Sequence, residues 1–241
     1  MLNNQVLFFA KQSGKDDTTD FPTFEPTDAK RTMQGVNVED YAGEKVTLDY
    51  DGIESGSSPE ININPHSIWG WNIPLAGSGE AGVSPQWGEM LECGGFVESG
   101  GKYKHDSSID SPFAKVSKFT GNQKQQASKN MRVGGLTAVL SGNIPMLQFS
   151  GCVGTYHRPK SSTFPSIEYP KAASPVAVTK DNTPIFKLDG YDVVPTDCSI
   201  DFGLSAKFEN LPNFKEATHG ETQPTGTITI RACLLYTSDA A

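Results

Sequence analysis

The sequence predicts a mainly β chain with one short helix. Three observations carry this. First, several stretches alternate apolar and polar residues with a period of two, as strands with one buried face do. EKVTLDY (44–50) sets Val46, Leu48 and Tyr50 against Lys45, Thr47 and Asp49, and TGTITIRA (225–232) alternates Thr with Ile. Second, Gly and Pro number 24 and 16 among 241 residues, which favours many turns over long helices. Third, one stretch alone, 84–93, combines start, face and stop signals of a helix.

QVLFFA (5–10) reads as a first strand, and a loop rich in Asp, Thr and Pro follows to about residue 28. EININPHSIWGWNIPLAG (60–77) reads as extended chain with Ile61 and Ile63 on one face; Pro65 and Pro74 limit how much of it can be a central strand. Within it, Trp69 and Trp71 stand two apart on one side of a strand. Core packing, a subunit contact and stacking on a ligand all use such pairs.

The helix is expected over about 84–93. Ser84 can accept a bond from an N–H of the first turn. Pro85 falls at the first helical position, where its missing N–H costs nothing. Trp87, Met90 and Leu91 share one face, and Gly94 supplies a left-handed stop. A helix this short needs a sheet to pack on.

Beyond it, FAKVSKF (113–119) and KNMRVGG (129–135) flank a polar turn, TGNQKQQAS, as a hairpin. GLTAVLSG and PMLQFSGCVGTY form another pair. In the second, Leu147, Phe149 and Val153 are expected on one face, and Met146, Gln148, Ser150 and Cys152 on the other. Residues 157–175 read as a long exposed loop. The stretch 183–208 holds at least two strands, with Ile200, Phe202 and Leu204 on one face.

The last nine residues, CLLYTSDAA (233–241), follow a strand with no turn chemistry between. The codons TGT-CTC-TTA-TAC-ACA-TCT-GAC-GCT-GCC encode them and look like the transposon-end adapter of sequencing libraries. The expectation is a non-native, adapter-encoded tail at 233–241, a metagenomic source and a single domain over 1–232 that is incomplete at its C-terminus. Removing the tail, and with it Asp239, changes the formal net charge from −8 to −7.

An acidic chain without dense Lys/Arg clusters argues against a phosphate-gripping surface. No run approaches the roughly 20 apolar residues of a membrane span, and no membrane partner is expected. Cys93, Cys152, Cys198 and Cys233 form no CxxC pair, and His66, His105, His157 and His219 have no ligand spacing, so no metal is expected. The thiols read as small apolar residues. GSGEAG (77–82) has the glycines of a phosphate loop but no Lys or Arg beside it, and reads as a turn into the helix. DNTPIFKLDGYD (181–192) and DYDGIES (49–55) lack calcium-loop spacing and read as turns. No nucleophile elbow or HExxH occurs; catalytic residues and cofactors are expected to be none.

IPLAGSGEAGVSPQWGEMLECGGF (73–96) closely resembles a segment of the tail tube proteins of bacteriophages with long, non-contractile tails. Further likenesses follow in the same order: GLTAVLSGNIPMLQFSGCVGTY resembles the family's paired strands, FKLDGYDVVPTDCSIDFGLSAKF its next segment, and QPTGTITIRA a later strand. The N-terminal VLFFAKQSGKDDTTDFPT also fits. Residues 106–133 depart, being rich in Lys and Gln without the Tyr-rich strand often seen there, and relatives continue beyond the PTGTITI strand.

The resemblance implies a tail-tube-like β-sandwich or barrel with the flanking helix, and a virion structural protein rather than an enzyme. Such subunits are made in the bacterial host cytoplasm and assemble into rings, usually hexameric. Stacked rings form a tube through which DNA passes without specific binding. Implied partners are the chain itself, a tape-measure protein and tail-end proteins. An acidic lumen would let DNA slide. Contacts are expected from strand edges and from loops such as 106–130 and 157–175, with the truncated chain assembling poorly. The alternative is a carbohydrate-binding or glycoside-processing β-sandwich using Trp69, Trp71 and nearby acids.

Overall fold

The computed structural model describes residues 5–48, 59–121, 123–140 and 144–231. The adapter-like tail, the DYDGIES turn and the end of EKVTLDY lie outside the described residues. The chain runs through β1 (Gln5–Lys11), a 3-10 turn at Pro26–Asp28, β2 (Ala29–Lys30) and β3 (Met33–Ala42). The pair β4 (Lys45–Thr47) and β5 (Glu60–Asn62) precedes β6 (His66–Pro74), helix α1 (Gly88–Cys93) and the hairpin β7 (Phe96–Ser99) and β8 (Lys102–His105). Then come β9 (Ala114–Thr120), β10 (Lys124–Arg132), β11 (Gly135–Val139), β12 (Met146–Tyr156) and β13 (Lys160–Ser161). The last part holds the hairpin β14 (Lys187–Leu188) and β15 (Tyr191–Asp192), β16 (Pro195–Asp201), the hairpin β17 (Ala206–Leu211) and β18 (Phe214–His219), and β19 (Thr225–Ile230). The protein is mainly β, as its alternation and turn content require.

All ladders among the described residues are antiparallel, and β12 is the strand on which the main sheet forks. One edge of β12 pairs with β6 along its length. Its other edge is shared: Met146–Ser150 pair with β11, and Val153–Tyr156 with β10. Gly151, at φ 57°, makes the bulge at the fork. The bulge corrects the sequence reading of β12. Phe149 and Cys152 enter the same core, while Val153 turns to a separate cluster with Phe208 and Ala217. A bulge advances the alternation by one residue, so simple parity fails beyond it.

From the fork, β10, β9 and β1 curl round one side. From the other edge, β6 and β3 curl to meet them. Side chains bridge the meeting line: Val36 N donates to Gln5 Oε1 at 3.3 Å, and Lys118 Nζ donates to Val36 O at 2.6 Å. The sheet is thus curled but not closed by a backbone ladder. Inside lie Leu7, Phe9, Val36, Trp69, Trp71, Val116, Met131 and Phe149, with α1 packed over one end. Each large apolar side chain buried there contributes about 1.5–3 kcal/mol. The third arm, β11–β16–β19, leaves the fork as a wing.

Two expectations for loops change. The polar turn expected over 120–128 is mostly strand: β9 ends at Thr120, β10 begins at Lys124, and Gln125 and Gln126 are buried in β10. The region 106–130 is therefore largely sheet. The 157–175 stretch is mostly irregular, yet Phe164 and Ile167 pack on a second cluster of Val6, Phe8, Ala29 and Phe119. Conversely, Val46, expected half-buried, is exposed on β4.

Candidate functional site

The helix begins at Gly88, not Ser84, and Trp87 is its N-cap residue, without a side-chain cap bond. Ser84 and Pro85 lie in the preceding irregular segment. Tertiary bonds hold that segment: Gln86 Oε1 accepts from Arg31 N at 3.1 Å, and Trp87 Nε1 donates to Ala76 O at 2.9 Å. Those fixed points lie just ahead of the first helical turn. Met90 and Leu91 are buried in the core, with Trp87 half-buried beside them. Gly94 has φ −91°, and the left-handed stop is Gly95 at φ 84°.

Trp69 and Trp71 are 1% and 2% exposed, so neither indole offers a face to a ligand or a second subunit. Trp71 stacks on Phe149 with centroids 5.3 Å apart and donates to Met90 Sδ at 3.3 Å. Trp69 Nε1 donates to Ser67 Oγ at 3.0 Å. Both indole N–H groups are therefore satisfied inside the fold, as buried ones require.

Two buried polar networks were not foreseen from the sequence. Lys129, 1% exposed, donates to Asp16 Oδ2 at 2.9 Å and Thr18 Oγ1 at 2.8 Å. The bond from Lys129, aided by Thr18, holds the Asp16 carboxyl down at about 2. Nearby, Arg132 Nη1 donates to Ser111 O and, at 3.0 Å, to Ser111 Oγ, while its Nη2 donates to Asp110 at 2.9 Å. His219 Nε2 lies 2.8 Å from Ser111 Oγ. Burial first, then the Arg132 charge, pushes the His219 pKa down. These groups tie the N-terminal loop and the β17–β18 hairpin to β10. No motif marks them, because their partners come from distant parts of the chain. Burial likewise pushes the Cys93 thiol up and raises Cys152 to about 12, so both stay protonated.

The surface with an unmet need is the wing. Paired residues share a sheet face, so the register draws two rows across it. On the outer face the row is Asn72, Gln148, Thr137, Asp201 and Thr225, all polar. On the core face it is Ile73, Leu147, Ala138, Ile200 and Gly226. Exposure along that core-face row climbs from 0% at Ile73 and 4% at Leu147 to 40% at Ile200. Ile228 and Ile230 of β19 are also exposed. The apolar face thus runs past the core that should cover it.

The strand edges differ too. The long edge of β3 is occupied by the Gln5 and Lys118 side chains, and Asp40 meets Gln126 Nε2 at 2.5 Å. Strand β19 pairs only with β16 among the described residues, and all its residues are exposed. Among the described residues, no helix is long and apolar enough to cross a membrane. No protein-family model matches the chain, and no curated protein matches it significantly.

Proposed function

We propose that the chain is a self-assembling structural subunit, of the kind that stacks in rings to form a phage tail tube. The observation that carries this reading is the wing. Its core face leaves Ile200, Ile228 and Ile230 exposed, while on the opposite face one row, Asn72, Gln148, Thr137, Asp201 and Thr225, is polar across five strands. Among the described residues the outer edge of β19 has no partner strand, and an unpaired edge beside exposed isoleucines favours association with another strand. A second copy beside β19 would satisfy the edge N–H and C=O groups and cover the isoleucines. Repetition would give a continuous sheet with its polar row, including Asp201 and the β19 threonines, on one surface. An acidic, hydroxyl-rich wall facing a water-filled lumen suits passage of DNA without binding.

The test is electron microscopy and sedimentation of the concentrated full-length protein beside Ile228→Lys. Rings or tubes from the natural sequence, lost in the variant, are expected. A natural sequence that stays monomeric at high concentration overturns the reading.

A further inference from the structure

We infer that the β4–β5 pair of one copy docks in the groove of the 178–195 segment of a second copy. This rests on the self-assembly reading and adds a contact separate from the β19 edge. The first surface is apolar and bare. Val46 lies across the ladder from Ile61, with Ile63 on the same face, and all three are exposed.

The second surface is a groove of about 740 Å³. Its apolar lining comes from Val178, Pro184, Ile185, Phe186, Val193 and Val194. Ile185 is 69% exposed and Val194 57%. The groove is built rather than loose. Val193 N donates to Phe186 O at 3.2 Å, and Asp189-Gly190, at φ 50° and 83°, close a tight hairpin turn. Arg231 N donates to Val194 O at 2.9 Å, which anchors the groove beside the end of β19.

Three arguments choose a second copy as the occupant. The two surfaces hang from opposite ends of one sheet. β4 follows β3, and the groove leads into β16; the order β3–β6–β12–β11–β16 separates those strands by four spacings, about 19 Å. Two different patches at opposite ends make a heterologous, repeating contact, the type that builds rings or filaments. Charge agrees: Glu44 and Glu60 flank the apolar pair, and Lys180 and Lys187 line the groove. Glu60 and Lys187 already have partners in Lys45 and Asp192. Glu44 and Lys180 have no ion pair among the described residues, so they are available to each other across the contact.

The test places Ile61→Cys and Ile185→Cys in the full-length protein, with Ser in place of any cysteine at position 233, under mild oxidation. The double variant should give a ladder of covalent oligomers. An equal mixture of the two single variants should give covalent dimers, and neither single variant alone should. In parallel, Glu44→Lys should raise the concentration needed for assembly at least tenfold, and Lys180→Glu in the same chain should restore it. Particles that form without any Ile61–Ile185 cross-link overturn this contact and leave the self-assembly reading standing. A natural sequence that never leaves the monomer overturns both.

Discussion

Replacing Trp71 by Ala separates a core tryptophan from an interface one. The indole is 2% exposed, stacks on Phe149 at 5.3 Å and bonds Met90 Sδ at 3.3 Å. Truncation removes that contact area, leaves a cavity under α1 and strands nothing polar but a weak sulfur acceptor. Phe or Trp to Ala in such a site costs about 3–5 kcal/mol. Against a typical total of about 5–15 kcal/mol, that is a large share. For a chain of this size the melting temperature should fall by roughly 10 °C. Urea unfolding followed by far-UV circular dichroism, at a concentration where the protein is monomeric, measures it. A loss below about 1 kcal/mol in the monomer, with assembly abolished, would refute the core placement and return the residue to an interface.

Ser84→Ala should cost less than about 0.5 kcal/mol in urea unfolding, because no cap bond exists; a capping serine would cost about 1 kcal/mol. Gly151→Ala should cost about 1–2 kcal/mol for its left-handed φ of 57° alone, since an added Cβ there meets nothing within 4 Å. Gly203→Ala, at φ 65°, should cost more in the same assay, because its Cβ would strike the Gln223 backbone. For pH, burial holds His157 at about 4 against an ordinary 6.5, with the Lys129 charge adding to the effect. Between those values the unfolded chain binds the extra proton, so stability falls as pH drops from 6.5 to about 4, by at most roughly 3 kcal/mol. Asp16 has the opposite origin. Its carboxyl, held at about 2, adds stability above about pH 4 that is lost as pH falls through 2. Urea midpoints across pH 2–7 should therefore show a shallower acid slope for His157→Phe, and Asp16→Asn should converge on the natural protein only near pH 2.

Much of the element order was legible because it rests on local chemistry. QVLFFA is β1 over Gln5–Lys11, and the Thr/Ile alternation of 225–230 is β19. The Asp-Gly turn at 189–190 needs only positive φ, which those residues tolerate. The helix was legible in its buried face, Met90 and Leu91, but not in its ends. Ahead of it, Gln86 accepts from Arg31 N, 55 residues away in sequence, and the helix starts only at Gly88. The exposed β4–β5 face was misread for a related reason. Alternation says that one face is apolar, not that something lies beneath it.

The sequence by itself determined a β-rich chain, its turns and the short helix, since periodicity and Gly, Pro and Asx chemistry act within a few residues. The tertiary structure alone decided which apolar faces are covered. It seated Trp69 and Trp71 in the core and used the Gly151 bulge to send Val153 away from Phe149. It buried Lys129 and Arg132 with partners from the N-terminal loop and β18, and left Ile200, Ile228 and Ile230 without a lid. The physical reason is that burial belongs to pairs of surfaces. A strand carries only one of the two, and folding, or a second copy, supplies the other.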